Sequence, residues 1–434
     1  MMKTGRLRSA VALTATVGML TAVLAGCSSG NSSSSSSSSG AEEGPVTITL
    51  GLQTETNEAK PYASVVAEFE KANPNITVEI QESPLASYSN VLKTQLQGGG
   101  GPDVFYGAPG TGGINSLIEL ANAGYTLSLS DQSWATAAIP ENSKSLFYTD
   151  DQLWALPVDL VPITTVVNDT AYQQVGITYP TTLKELLSAC TTAKTAGKSY
   201  WVLPAASSQA NGLLALLIAA GQVYAQNPDW NDQRAAGSVK FADSPGWQST
   251  LQAVLDMNQQ GCFQDGASGM TNETSFPLLA QGLGMTVAAP GSAAKEFGGL
   301  NPDLTWTTNA FPAPAAADTR VYASPSDALA INAATEHADA AKKLLEFFSQ
   351  PESQNSFADK AGTISLAATS GNATLTPQYA PLKPYLEDPT KNLPLPFLSW
   401  PNGVYEKLGE GIQGMLTGQA TADQVLGDMD NAWG

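Results

Sequence analysis

Between Val46 and Ile80 the apolar residues change period twice. Val46, Ile48, Leu50 and Leu52 alternate, the pattern of a strand. Pro61 then suits the first turn of a helix, and Tyr62, Val65, Val66 and Phe69 fall on one face of it. Asn73-Pro74 stops the helix, because the residue before a proline is pushed out of the helical region. Ile76, Val78 and Ile80 alternate again. Two strands joined by a helix imply a parallel pair with a right-handed crossover.

The same grammar recurs downstream. Val91, Leu92 and Leu96 read as a helix, followed by the break at Gly98 to Gly101 and a strand around Val104-Phe105. Thr182 to Glu185 is a capping box opening a helix with Leu183, Leu186, Leu187 and Cys190 on its apolar face. Pro245 starts a helix with Trp247, Leu251, Val254 and Leu255 inward. Asp339 precedes one with Ala341, Leu344, Leu345 and Phe348 inward, ended by Pro351, and Thr421 to Gln424 is a second capping box. Alternating strands and helices predict an α/β fold.

The N-terminus points to export. Lys3, Arg6 and Arg8 precede an apolar run from Ala10 to about Ala25, the layout of a secretory signal peptide. A comfortable membrane span needs roughly 20 apolar residues. The run ends in Leu24-Ala25-Gly26-Cys27, which resembles a bacterial lipobox, so 1–26 is read as a signal peptide and Cys27 as the lipidated residue. Residues 27–45 are a Ser-rich tether that cannot bury apolar area. Of 434 residues, 408 follow the signal, enough to require two domains or lobes. Three of the 20 Lys+Arg lie in the signal, which leaves 17 against 39 acids, a net charge of about −22. That balance argues against nucleic acid, whose phosphates demand clustered positive charge.

Several segments, in order along almost the whole mature chain, resemble the extracellular solute-binding proteins of the maltose-binding type. They are Phe69 to Val78, Gly99 to Phe105, Asp151 to Pro157 with Val166 to Asn168, Pro180 to Leu187, Gly284 to Thr286, Ser326 to Ile331 with Ala340 to Phe347, and Gly411 to Gly418. The resemblance implies a periplasmic-binding-protein-like fold of type II, with two α/β lobes joined by a hinge and a ligand cleft between them. Lobe one maps to 46–155 plus 325–350, and lobe two to 157–322 plus 353–434. The expected crossings lie near Leu156-Pro157, Ala323-Ser324 and Gln350-Pro351. The implied activity is capture of a sugar, closure of the hinge, and delivery to an ABC permease at the outer face of the cell membrane. A monomer without cofactor or metal is expected. A polyol, glycerol phosphate ester or polyamine is the alternative ligand; Lys60, Lys198 and Arg320 are the nearest basic residues to the candidate segments, which disfavours a phosphate.

A sugar site needs flat aromatic faces and a few carboxylate or amide groups. Glu55 and Asn57 follow the first strand, and Tyr106 ends the strand after Pro102-Asp103, at the strand ends that face a crevice in open α/β sheets. Trp154 and Asp159 flank the first crossing, and Ser326-Asp327 the return. Trp201 lies in the expected strand Tyr200-Trp201-Val202, with Asn211 on its rim, and Trp400 and Tyr405 precede the late helix. The bland alternatives are a core or hinge-packing role for each aromatic and a cap or solvated role for each acid. One departure from the resemblance stands out: many members carry a stacking tryptophan where this chain has Ala288 to Ser292, with no aromatic.

Cys190 and Cys262 remain after Cys27 and, in an oxidising compartment, are expected to pair; two separate buried thiols are the alternative. Catalytic signatures are missing from the sequence. The lone histidine, His337, precedes a helix start, so no Ser/His/Asp set or zinc cluster suggests itself, and Gly98 to Gly101 lacks the Lys-Ser/Thr of a phosphate loop. Acids are plentiful, but no pair is singled out for glycoside cleavage. The chain is therefore read as a binding protein and not an enzyme.

Overall fold

The computed structural model describes residues 44–55, 59–111, 115–369 and 375–434. The signal peptide, Cys27, the Ser-rich tether up to residue 43 and Asn57 lie outside the described residues. Among the described residues no helix is long and apolar enough to cross a membrane.

In chain order the strands are β1 Val46–Gln53, β2 Ile76–Ser83, β3 Val104–Gly107, β4 Tyr148–Thr149, β5 Gln152–Leu153, β6 Leu156–Pro157, β7 Val161–Asn168, β8 Thr286–Pro290, β9 Trp306–Asn309, β10 Val321–Ser324, β11 Ala328–Ile331 and β12 Asn392–Leu393. One sheet runs β2-β1-β3-β11-β6. Its first three strands are parallel, with Val46 opposite Ile76, and β11 lies antiparallel between β3 and β6. A second sheet runs β12-β10-β7-β8, with β9 also on β7.

Each sheet has its own core. Ile48, Leu50, Val65, Phe69 and Leu329 close one; Trp201, Leu214, Trp247, Trp400 and Leu408 close the other. Helix Pro61–Ala72 buries Tyr62, Val65, Val66 and Phe69, the four residues that share a face by spacing. Thr182 and Glu185 exchange cap bonds at the start of helix Leu183–Thr195, and Thr421 and Gln424 do so at the start of Ala422–Trp433. These reciprocal bonds satisfy backbone donors that the first turn of a helix cannot. Some faces are rotated from the expectation: Val91 is exposed, and Leu183, Leu187 and Leu255 are half-buried. Tyr200 to Val202 forms no regular strand; only single bridges pair Ser199 with Gly284 and Trp201 with Phe263. Cys190 and Cys262 are joined by a 2.06 Å S–S bond, tying helix Leu183–Thr195 to the turn after helix Pro245–Gln259.

Three chain passages link the sheets side by side. Residues 158–160 lead from β6 to β7, and residues 325–327 lead from β10 to β11. The two are tied by Val158 N–H donating to Asp327 O at 3.2 Å. The third differs from the expected Gln350-Pro351. Pro351 starts helix Pro351–Ala361 instead of only ending its predecessor, and Phe357 of that helix packs 4.8 Å from the Tyr62 ring in the first core. The chain leaves that core after Ala361, and Ile364 pairs with Leu160 through two backbone bonds of 2.8 and 2.9 Å.

Candidate functional site

A cavity of 560 Å³ opens where the two sheets meet the three passages. Parallel strands direct their carboxyl ends toward a crevice, and here β1 and β3 bring Gln53 to Glu55 and Tyr106, Ala108 and Pro109 to its wall. From the second sheet come Val161 and Ile163 of β7, Pro290 of β8 and Ser324 of β10. The passages themselves supply Asp159, Ser326 and Asp327. No Lys, Arg or His is among the described residues that line it.

The floor is a polar chain set in an apolar junction. Ser326 Oγ lies 3.3 Å from Asp159 Oδ1 and 3.4 Å from Asp327 Oδ1. Ser326 N–H donates to Asp159 Oδ1 at 3.4 Å, and Tyr62 O–H donates to Asp327 Oδ2 at 2.9 Å. Asp159 is only 2% exposed. Burial pushes its carboxyl well above the usual carboxylate range, and the neighbouring Asp327 charge pushes it further. Burial raises Asp327 as well. Two like charges held this close in a desolvated pocket are a recurrent mark of functional sites.

Glu55 stands at the rim with a second task. Its Oε1 and Oε2 accept from Tyr62 N–H at 3.0 Å and Ala63 N–H at 3.4 Å, so it caps helix Pro61–Ala72, whose own cap residue, Lys60, makes no side-chain cap bond. Burial raises its carboxyl more than these bonds lower it. Tyr106 is half-buried, its ring edge-on to Tyr88 at 5.7 Å.

The structure thus brings Glu55, Tyr106, Asp159 and Asp327 together with Ser326. The other named aromatics lie elsewhere. Trp201 is fully buried against Phe311 in the second core. Trp400 is 1% exposed, packed against Phe241 and Trp247, with its Nε1–H donating to Asn231 at 3.1 Å. Trp154 packs on the first core, away from the cavity wall. Asn211 is buried and donates to Ala205 O and Gly409 O. Tyr405 stacks at 4.5 Å behind Phe397, and it is Phe397 that reaches the cavity.

The chain also matches known proteins. Residues 54–355 match the family described as bacterial extracellular solute-binding protein. The chain belongs to this family. No curated protein matches it. Among solved structures, a family 1 extracellular solute-binding protein from Bifidobacterium longum subsp. infantis superposes with a TM-score of 0.73 at 19% identity, over 90% of this chain and 99% of that one. The apo form of RafE from Streptococcus pneumoniae gives 0.74 at 18%, over 91% and 98%. A sugar transporter from Bacillus licheniformis, in complex with stachyose, gives 0.67 at 19%, over 89% and 99%. These likenesses establish the type II solute-binding fold.

Sequence reading of this solute-binding protein missed Tyr62, Phe357, Phe397 and Leu398 of the cavity wall. Tyr62 and Phe357 carry the helical spacing of core residues, and both are in fact buried while also lining the cavity. Phe397 sits on the short 3-10 turn Pro396–Ser399, where no periodicity distinguishes it from Trp400.

Proposed function

We propose that this solute-binding protein captures a sugar in the cleft between its two sheets and delivers it to the permease of an ABC importer. The observation that carries the reading is one cavity where carboxylates and aromatic rings converge: Asp159, Asp327 and Glu55 to accept hydroxyl hydrogens, and Tyr106 and Phe397 to cover C–H faces. Relatives of the same fold are named for raffinose, stachyose and alpha-D-tagatose complexes, which supports a sugar ligand. Phe397 takes the place of the stacking tryptophan missing from Ala288 to Ser292. Closure follows from contacts the closed form makes better than the open one. A lipid on Cys27 and the Ser-rich tether would hold the body at the outer face of the cell membrane. Binding proceeds without turnover of the sugar.

A polyamine is the second reading, favoured by three carboxylates and no cationic side chain on the wall. The test is a thermal-shift screen of residues 42–434 against mono- and oligosaccharides, polyols and polyamines. A ligand at a hundred times its Kd adds about 2.7 kcal/mol of stability. A shift with one sugar class, and that sugar recovered unchanged, supports the proposal. A shift with polyamines alone transfers the site to the second reading, and a chemically altered sugar overturns the claim of binding without turnover.

A further inference from the structure

The polar chain on the cleft floor has a deficit of hydrogen atoms. Ser326 Oγ carries one hydrogen, yet it stands between two carboxylate oxygens at 3.3 and 3.4 Å. A hydroxyl donates one bond and accepts through its lone pairs. With both acids ionised, one of the two contacts is oxygen facing oxygen with no hydrogen between. With one acid protonated, the chain closes: carboxylic acid O–H donates to Ser326 Oγ, whose own O–H donates to the other carboxylate. Tyr62 already spends its hydrogen on Asp327 Oδ2.

We propose that in the ligand-free protein Asp159 and Asp327 share one proton across Ser326, and that the solute displaces it. The inference rests on the solute-binding reading of the same cleft. Asp159 lies on the passage from β6 to β7, and Ser326-Asp327 on the passage from β10 to β11, so the shared proton joins two of the three links between the sheets. When a solute brings its own O–H or N–H donors, both acids become acceptors: the carboxyl O–H bond breaks, the carboxylate keeps the electron pair, and the proton leaves to solvent. Solute affinity then weakens as the pH falls. Other titratable groups facing the pair are Glu55 and Lys60 at the end of β1, Tyr62 and Tyr88 on the flanking helices, Tyr106 on β3, and Tyr379. The tyrosines stay neutral because burial raises them all. Lys60 Nζ is engaged by Glu55 O and Glu82, and no Lys, Arg or His is among the described residues that line the cavity.

Two measurements test this on the mature chain. Infrared difference spectra between the wild type and Asp159→Asn, without ligand at neutral pH, should show the carbonyl stretch of one protonated carboxylic acid in the wild type only. Its absence from the wild type overturns the proposal whatever binds. Calorimetric titration with raffinose, or the panel sugar giving the larger thermal shift, is run in buffers of different ionisation enthalpy. The wild type should release close to one proton per sugar bound, and Asp159→Asn none, with weaker binding. Saturable binding with no proton release overturns the shared proton and leaves the solute-binding reading intact. No binding to any panel sugar overturns the sugar reading, and the infrared result then decides the shared proton alone.

Discussion

Replacing Asp159 by Asn should make the ligand-free protein more stable and a poorer receptor. The side chain keeps its shape and loses its charge. Asp159 Oδ1 and Asp327 Oδ1 are each within 3.4 Å of Ser326 Oγ, which bounds their separation at 6.7 Å. Were both acids ionised, two unit charges at that distance would repel by ~2.5 kcal/mol at an effective dielectric near 20; holding one proton on the pair at neutral pH costs folding up to about that much instead, and the variant avoids it. The Asn amide oxygen still accepts from Ser326 N–H and Oγ–H, and the charge lost from that acceptor returns about 1 kcal/mol. The net gain is ~1–2 kcal/mol. Unfolding a body of roughly 390 residues carries an entropy near 0.8 kcal/mol/K, so Tm should rise by about 1–3 °C. The sign with pH is fixed by the direction of the shifts. Both acids hold their protons more tightly folded than unfolded. Their cost is therefore absent below the ordinary carboxylate range and grows as the pH rises through their raised values. The Tm advantage of the variant should be greatest near pH 8 and vanish near pH 4. Sugar affinity should fall about 10- to 100-fold, the worth of a charge-assisted hydrogen bond. Melting curves across that pH range and calorimetric titrations check both arms. A variant that melts below the wild type by the same amount at every pH, with unchanged affinity, would refute the reasoning.

Other consequences follow from single contacts. The disulfide closes a loop with a sequence separation of 72, so the double change Cys190→Ala/Cys262→Ala should cost about 4 kcal/mol by loop entropy and lower Tm by about 5 °C, read by calorimetry. Gly110 has φ +83°, and a Cβ there would lie 2.4 Å from Leu398 O, the atom that accepts from Thr111 N–H across the cleft mouth. Gly110→Ala should weaken sugar binding about tenfold or more by opposing closure, measured by titration. Phe397→Ala and Trp400→Ala, three residues apart, should separate cleanly: the first lowers affinity with a small change in Tm, and the second costs about 3–5 kcal/mol of stability, measured by the same two assays.

Much of the architecture was written in local pattern. The alternation in β1 and β2, the helical face ending at Phe69 and the two capping boxes are short-range signals, and each produces its element because burial and cap bonding act within a few residues. The third passage was not legible, because a proline ends one helix and begins the next with equal ease; Pro351 does the latter. The cavity wall was legible at two kinds of place: Glu55 and Tyr106 follow from the rule that crevices open at strand ends, and Asp159 and Asp327 from their positions beside the chain crossings. It was illegible among the aromatics. A tryptophan offers the same large apolar surface to a sugar and to a core, and Trp201 and Trp400 fill the core while the smaller Phe397 reaches the cavity. The meeting of Asp159 and Asp327, far apart in the chain, needs the fold itself.

The central claim is that the solute is held between the two sheets, on the Asp159–Ser326–Asp327 floor. Calorimetric titration of the mature chain and of Asp327→Ala, with the sugar that gives the largest thermal shift, tests it most directly. The account predicts one site per wild-type chain, the sugar recovered unchanged, and binding at least tenfold weaker in a variant that still melts cooperatively. Equal affinity in the two proteins, or no saturable heat with any sugar, would contradict it.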